Sequence, residues 1–432
     1  MTNEIINKDK KYLWHPFTQS KTACDPIVIK SAKDEILFDS NGKEYIDLIS
    51  SWWINTHGHC RDEMISSISN QSKKLEQVLF AGFTHKPAVD LAEKLVKITP
   101  KNLQRVFYSD NGSTSVEIAM KVAIQYWFNK GKKKKKFVAL RGGYHGDTFG
   151  AMSVGRTSGF YDPFDHMLNE TSFISFPEVW RGNNQLQQNE IKAINQVKEV
   201  IKKEKDQIAA AILEPLVQGA GGMKMCRKEF LSELVKIFKD SGIIVIFDEV
   251  MTGFGRTGKM FAADFLDVEP DIMCLAKSLT GGFIPLAATV FSEKIHKQFV
   301  NLDFKKTFLH GHTFSANPVA CSVALSSLKL FDKDKSFEKI KLINSIHSEF
   351  LFELSKNINI SKIRVLGSIA AFDYKKISSI YGSSDSLKLR QKFIEEGLLL
   401  RPIGNTIYLM PPYCIKEKNL KKSYEKLIEI LQ

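Results

Sequence analysis

Lys277 ends the run Asp271-Ile-Met-Cys-Leu-Ala-Lys277, and upstream Asp248 ends a second apolar run, Ile243-Ile-Val-Ile-Phe-Asp248. Continuous apolar runs of this kind read as strands of a parallel sheet covered on both faces. Open α/β sheets take their ligands in the crevice outside the carboxyl ends of the strands. An amine and a carboxylate presented there are the pair that pyridoxal phosphate chemistry requires. The lysine bonds the cofactor's aldehyde carbon, and the aspartate pairs with the protonated pyridine nitrogen. Each residue alone has a plainer reading. A lysine after a strand is usually solvated, and an aspartate there often caps the next helix.

Ser109-Asp-Asn-Gly-Ser-Thr-Ser115 falls between a strand pattern and a helix pattern. Gly112 permits a tight turn, while Ser113 and Thr114 bring hydroxyls to a helix N-terminus suited to a phosphate. By itself the segment is a capping turn. A second phosphate candidate is Leu309-His-Gly-His-Thr-Phe314. In Arg141-Gly-Gly-Tyr-His-Gly-Asp147, Tyr144 or His145 could lie against a planar ring and Asp147 could orient a neighbour. The plainer reading is a glycine-rich loop with packing aromatics. Trp14-His-Pro-Phe-Thr18 and Ser50-Ser-Trp-Trp53 are dense in aromatics. An extended Trp52-Trp53 points its side chains to opposite faces, which assigns Trp52 to a ligand and Trp53 to packing.

These residues need a sheet to carry them. Arg105–Ser109, Phe137–Leu140, Ser172–Phe176, Ala209–Leu213, Ile243–Phe247, Asp271–Ala276 and Ala288–Phe291 read as strands, with helical patterns in several of the intervals. Val116, Ala119, Met120, Ala123 and Trp127 fall on one helical face. The alternation predicts a mostly parallel sheet with right-handed crossovers. The last interval is too short for a helix, so its strand is expected to join antiparallel. Towards the ends of the chain, Ile36–Leu48 reads as a hairpin turning at Asn41-Gly42. Leu398–Arg401 and Ile407–Met410 read as a strand pair around Gly404-Asn405, with a helix following to Gln432. The expected division is a large domain over 56–330 and a small α+β domain assembled from 1–55 and 331–432.

The chain of 432 residues is 43% hydrophobic and 25% charged, the balance of an ordinary globular protein. It has no apolar stretch of membrane-spanning length and no apolar leader, so a cytoplasmic protein without a membrane partner is expected. The six cysteines are scattered, with no metal-like spacing, so no metal is expected. The net charge of +13 includes the run Lys132–Lys136. No aromatic-interleaved basic motif accompanies that run, which favours a solvated loop over a nucleic-acid surface.

Phe247-Asp-Glu-Val250, Gly253-Phe-Gly-Arg-Thr-Gly258 and Ala276-Lys-Ser-Leu-Thr-Gly-Gly282, in this order and spacing, resemble the motif of class III pyridoxal phosphate-dependent aminotransferases of fold type I. The resemblance covers nearly the whole chain. Trp14-His-Pro-Phe-Thr18, Ser51-Trp-Trp53, Gly143-Tyr-His-Gly-Asp147, His310-Gly-His-Thr-Phe314 and Tyr408-Leu-Met-Pro-Pro-Tyr413 narrow it to one branch. Members of that branch transfer an amino group from S-adenosylmethionine to 8-amino-7-oxononanoate, making 7,8-diaminononanoate for biotin.

The resemblance implies an α/β fold with a seven-stranded, mostly parallel sheet, a small domain from both termini, and a homodimer with shared active sites. It implies that Lys277 holds pyridoxal 5'-phosphate, Asp248 meets its pyridine nitrogen, Gly112 and Ser113 bind its phosphate, and Tyr144 stacks near its ring and borders the substrate. His312 and Thr313 would reach the phosphate of the opposite subunit, with Gly311 beside the substrate. Trp52 and Arg401 would contact 8-amino-7-oxononanoate, the guanidinium on its carboxylate, and Arg256 is a further substrate candidate. Phe17 stands where some relatives carry a tyrosine, so any substrate contact there is apolar. A sulfonium donor would sit near an aromatic face among Trp52, Trp53 and Tyr144. The competing expectations are a lysine-using relative, an ω-amino acid or diamine aminotransferase, and a non-catalytic basic protein that binds nucleic acid.

Overall fold

The computed structural model describes residues 2–155 and 161–432. Its centre is one seven-stranded sheet: β1 (Leu103–Ser109), β2 (Lys136–Leu140), β3 (Thr171–Ile174), β4 (Ile208–Leu213), β5 (Ile244–Asp248), β6 (Ile272–Leu275) and β7 (Ala287–Ser292). The spatial order is β1-β7-β6-β5-β4-β2-β3. All seven strands read from the sequence are present, with ends shifted by a residue or two. Strands β2 to β6 pair in parallel. As its short connection requires, β7 runs antiparallel to β6 and to β1. Every residue of β4 to β7 is buried, because helices cover both faces of the sheet.

The helix Gly112–Asn129 buries the five face residues expected from the sequence. They pack with Ala209, Ile212, Ile246 and Ile272 of the sheet. This helix therefore starts at the end of β1, with its first amides at the carboxyl edge of the sheet.

Three strands near the N-terminus, Ile29–Lys33, Ile36–Asp39 and Glu44–Asp47, share a sheet with Leu398–Leu399. The Asn41-Gly42 hairpin turn is present, with Gly42 at φ +86°. The expected pairing of 398–401 with 407–410 does not form. Leu398–Leu399 runs parallel to Ile46 and Asp47, whereas Thr406–Leu409 pairs with Ile369–Tyr374 in another sheet. Pro402 offers no N–H to a ladder, and the chain crosses there from one sheet to the other. Only the Ile403–Thr406 bridge around Gly404-Asn405 remains of that hairpin. The hairpin Ile360–Leu366 and Ile369–Tyr374 went unread in the sequence, although Gly367 marks its turn.

The lysine run is only partly a solvated loop. Lys134 is buried, with its ammonium 4.4 Å from the Trp127 ring centroid and donating to the Lys205 carbonyl at 2.8 Å. Lys136 lies in β2 beside Glu170 and Glu204. An ammonium over a tryptophan ring with a carbonyl acceptor accounts for Lys134 structurally, and two neighbouring carboxylates account for Lys136. No described helix is long and apolar enough to cross a membrane.

Gly367 locks this framework together. Its φ is +59°, and a Cβ there would lie 2.3 Å from the Thr257 carbonyl carbon and 2.4 Å from the Gly258 nitrogen. Gly367→Ala therefore adds a left-handed backbone penalty to a clash with backbone that cannot step aside. We expect a loss of about 2–5 kcal/mol in urea unfolding; an unchanged midpoint would contradict this close approach.

Candidate active site

Five strand ends converge on one cavity of about 380 Å³. The end of β1 contributes Asp110 to Ser113, β2 is followed by Tyr144 and His145, β4 by Glu214, β5 ends in Asp248, and β6 is followed by Lys277. A second cavity of about 300 Å³ is lined by Phe17, Trp52, Tyr381, Arg401, Ile403 and Tyr408, among others. Trp53, Tyr144, Ala220 and Lys277 line both, so the two chambers meet at the lysine.

Lys277 is held at φ +46°, an unusual conformation for a residue with a side chain. Its ammonium lies 4.6 Å from the Trp53 ring centroid. Burial pushes its pKa down to about 8, with Arg256 also lowering it, against the opposing charges of Asp248 and Glu214. The amine therefore gives up its proton far more readily than an ordinary lysine and is mostly neutral only above about pH 8.

Asp248 is buried, and His145 Nδ1 lies 2.7 Å from its Oδ2. Burial opposes a charge on His145, but the bond to Asp248 and the carboxylates of Asp248 and Glu214 hold its pKa above the ordinary value. His145 is therefore the partner that fixes Asp248, rather than a ring-stacking residue. Asp248 Oδ1 also accepts the Val250 amide at 3.0 Å. Tyr144 is left as the aromatic on the cavity wall, its hydroxyl donating to Asp147 at 2.9 Å.

Glu214 went unread in the sequence, although the rule that singled out Asp248, a polar residue where a buried strand stops, applies to it equally. It accepts the Tyr144 amide at 2.9 Å and the Gly219 amide at 3.0 Å. Burial raises its pKa to about 7, and the neighbouring Asp248 adds to the rise.

At the other end of the chamber, Asn111 caps the Gly112–Asn129 helix and its side chain takes the Thr114 amide. The Thr114 hydroxyl is spent in the same capping box, donating to the Asn111 carbonyl at 2.8 Å. Among the described residues, the Gly112 and Ser113 amides carry no hydrogen bond and head an 18-residue helix. A Cβ at Gly112 would stand 2.7 Å from Val250 Cγ1, so only glycine leaves this approach open. Ser113 Oγ accepts the Asp147 amide at 3.3 Å.

These residues fit pyridoxal phosphate. A helix N-terminus with two open amides, a carboxylate fixed by a histidine and an amine where the second chamber joins all line one cavity.

Ser50-Ser-Trp-Trp53 is not an extended strand but a kinked turn with φ +51° at Ser50, +61° at Ser51 and +66° at Trp53. Asp47 holds it by accepting the Ser51 amide at 2.8 Å and hydroxyl at 3.0 Å. The tryptophans do diverge, with Trp52 40% exposed and Trp53 5%. Both nevertheless line the site, so Trp53 does more than pack. Its indole N–H donates to the Tyr408 hydroxyl at 2.9 Å. The Arg401 guanidinium lies 5.1 Å from the Trp52 ring centroid. Trp52 and Trp53 each therefore already carry a cation of this chain.

Arg256 lies outside both chambers. Fully buried, it donates to Ser50 Oγ and to the Asn55 and Pro411 carbonyls at 3.0–3.2 Å, bracing the Trp52-Trp53 turn from behind. Gly311, His312 and Thr313 also lie outside the chambers of their own chain. His312 Nδ1 is 2.6 Å from Asp110 Oδ2, and the Thr313 carbonyl accepts from Gln77.

The aminotransferase class-III family model matches residues 18–431. The chain is similar to the adenosylmethionine-8-amino-7-oxononanoate aminotransferase of Synechococcus elongatus, 44% identical over 420 residues that cover 97% of this chain and 98% of the relative. Among solved structures it resembles the enzyme of that name from Methanocaldococcus jannaschii, with a TM-score of 0.92 and 36% identity over 100% of this chain and 99% of the other. It also resembles a PLP-bound amine transaminase from an uncultivated Pseudomonas species, with a TM-score of 0.90 and 30% identity over 97% and 98%.

Two outcomes follow from the geometry. A lowered pKa leaves the Lys277 amine neutral above its midpoint. Pyridoxal phosphate capture by the apoprotein, followed by absorbance, should accelerate with pH and level off above about 8. A rate that keeps climbing to the ordinary lysine range would contradict the depressed value. Gly112→Ala crowds Val250 at the phosphate end, so cofactor affinity in equilibrium dialysis should fall about 10–100-fold. Retention at wild-type strength would place the phosphate elsewhere.

Proposed function

This chain belongs to the class III aminotransferases, pyridoxal phosphate-dependent enzymes, and we propose that it transfers an amino group from S-adenosylmethionine to 8-amino-7-oxononanoate. The product is 7,8-diaminononanoate, a step of biotin synthesis. The observation that carries this reading is the second chamber, which Lys277 and Arg401 both line together with Phe17, Trp52 and Tyr408. That is a passage for an aliphatic chain with a carbonyl to be aminated and a carboxylate to be gripped. The names carried by the chain's relatives supply the particular acid.

When bound, pyridoxal phosphate supplies an electron sink that acidifies the donor's Cα–H and lets both half-reactions use one pocket in turn. Gly112 and Ser113 would hold its phosphate, Asp248 its protonated nitrogen, and Lys277 its aldehyde carbon. Asp248 favours the protonated nitrogen because an adjacent negative charge stabilises a cation. His145 keeps that carboxylate in place and satisfied. The Lys277 amine takes the proton from the donor's Cα and, in the second half, delivers one to C7 of the acceptor. Its depressed pKa suits both directions near neutrality. Tyr144 walls the reacting region where the chambers join. Arg401 presents a planar fork to the acceptor's carboxylate, with Trp52 under the guanidinium and Phe17 adding an apolar wall. Arg256 acts on the substrate only through the turn it braces.

The active unit in this reading is a homodimer in the cytoplasm, without nucleic acid. Gly311, His312 and Thr313 lie outside their own chambers, on a segment whose Leu309 and Phe314 are exposed. A second copy would cover these apolar side chains and receive His312 and Thr313 at its phosphate end.

The test is product formation by the pyridoxal phosphate-loaded protein given 8-amino-7-oxononanoate, with adenosylmethionine and lysine supplied in separate reactions. Diaminononanoate from adenosylmethionine alone is the expected result. Product with lysine alone would overturn the donor, and none with either would overturn the acceptor. Lys277→Ala should abolish product in every arm.

A further inference from the structure

Three phenols line the second chamber, and two of them are committed to other groups: Tyr144 to Asp147, and Tyr408 to the Trp53 indole. The third, Tyr381, meets the carboxylate-binding arginine. Arg401 Nη2 donates to its hydroxyl at 2.9 Å and to the Phe17 carbonyl at 3.4 Å. The Tyr381 ring stands edge-on to Phe17, with centroids 6.3 Å apart, and Phe17 in turn packs on Trp52 at 5.6 Å. The guanidinium is thus fixed on two sides, by the indole below it and the phenol oxygen beside it.

We propose that Tyr381 is a positioning and specificity residue for the acceptor's carboxylate, orienting the Arg401 fork and supplying the polar end wall that Phe17 cannot. This rests on the function proposed above. An arginine on a flexible stem pays rotamer entropy each time it closes on a carboxylate. A fixed acceptor on one terminal nitrogen removes part of that cost and leaves the remaining N–H groups aimed at the ligand. Arg390 adds to the local demand for an anion. Burial lowers its pKa, and the nearby Arg401 lowers it further. An incoming carboxylate therefore meets a positive field there.

The fold provides for Tyr381 specifically. It lies in the irregular segment between the strand Ile369–Tyr374 and the helix Ser384–Glu395. That segment is seated on the Gly404 turn, where a Cβ would come within 2.2 Å of the Ser379 carbonyl oxygen. Gly404 follows Arg401 closely in the chain, so one turn sets both the arginine and the loop that carries its partner.

The experiment compares Tyr381→Phe with wild type as holoenzymes, using 8-amino-7-oxononanoate and its methyl ester as acceptors. Cofactor absorbance and thermal midpoint serve as folding checks. We expect KM for the acid to rise about tenfold, the value of one hydrogen bond to a charged group. The ester, which offers Arg401 no charge, should lose far less, so the preference for acid over ester collapses. A folded variant with an unchanged acid-to-ester preference overturns the proposal alone. Equal losses on acid and ester also overturn it, because they would mark a merely structural role. A wild-type protein that aminates neither compound overturns the functional reading, and this proposal with it. Gly404→Ala, which keeps the phenol but displaces its loop, should reproduce the selective loss on the acid; normal discrimination in a folded Gly404→Ala protein would count against the seating argument.

Discussion

An amine and several carboxylates have to coexist in one buried chamber, and the arrangement around Lys277 follows from that constraint. Moving the lysine from 10.5 to about 8 corresponds to about 3 kcal/mol of preference for the neutral form. The same burial raises Glu214 to about 7, and the charge of Asp248 adds to the rise. His145 meets the aspartate, while the Tyr144 and Gly219 amides meet the glutamate. The carboxylates at the ends of β4 and β5 are thus both met by residues that follow β2. Convergence of those ends is what makes the electrostatics possible, since no single loop could supply the set.

Backbone strain marks the same place. Lys277, Ser50, Ser51 and Trp53 all have positive φ. Such conformations persist only where the surroundings over-determine them. Asp47 and Arg256 do this for the tryptophan turn. Asp47 takes the Ser51 amide and hydroxyl, and Arg256 donates through its two terminal nitrogens to Ser50, Asn55 and Pro411. A buried arginine with carbonyl and hydroxyl acceptors is an expensive brace. Its return is an indole held beneath the reactive amine.

The cofactor chamber was largely legible in the sequence because its determinants are local. A buried strand announces itself as a continuous apolar run, and its last polar residue falls at the crevice by geometry alone, which located both Asp248 and Lys277. Glu214 obeys the same rule and was missed for lack of a motif around it. Tyr144 and His145 could not be told apart as ring neighbours from their own loop, since only the tertiary fold brings His145 to Asp248. Trp53 was misread because the alternation argument assumes an extended chain, and positive φ values at three of four residues break that assumption. Arg256 carried the right chemistry for a substrate ligand, but burial turned its donors inward. The 398–410 pairing failed because two short strands around a turn look identical whether they bond to each other or to separate sheets.

The second chamber has a different logic. Phe17, Trp52, Tyr381 and Arg401 come from four remote stretches of chain, and no periodicity or spacing links them. Their meeting depends on the two small sheets and on the turn at Gly404, where a side chain would drive the 379–381 segment away. This divides the molecule's tasks physically. The strand ends that hold a cofactor cannot change without disturbing the central sheet, whereas the substrate wall hangs on loops at its margin. Loops tolerate substitution because little core packing depends on them. A change such as phenylalanine at position 17 can therefore alter what is recognised while the lysine, the aspartate and the helix end stay where the sheet puts them. A single scaffold can keep its chemistry fixed while the far end of the chamber determines which molecule reaches it.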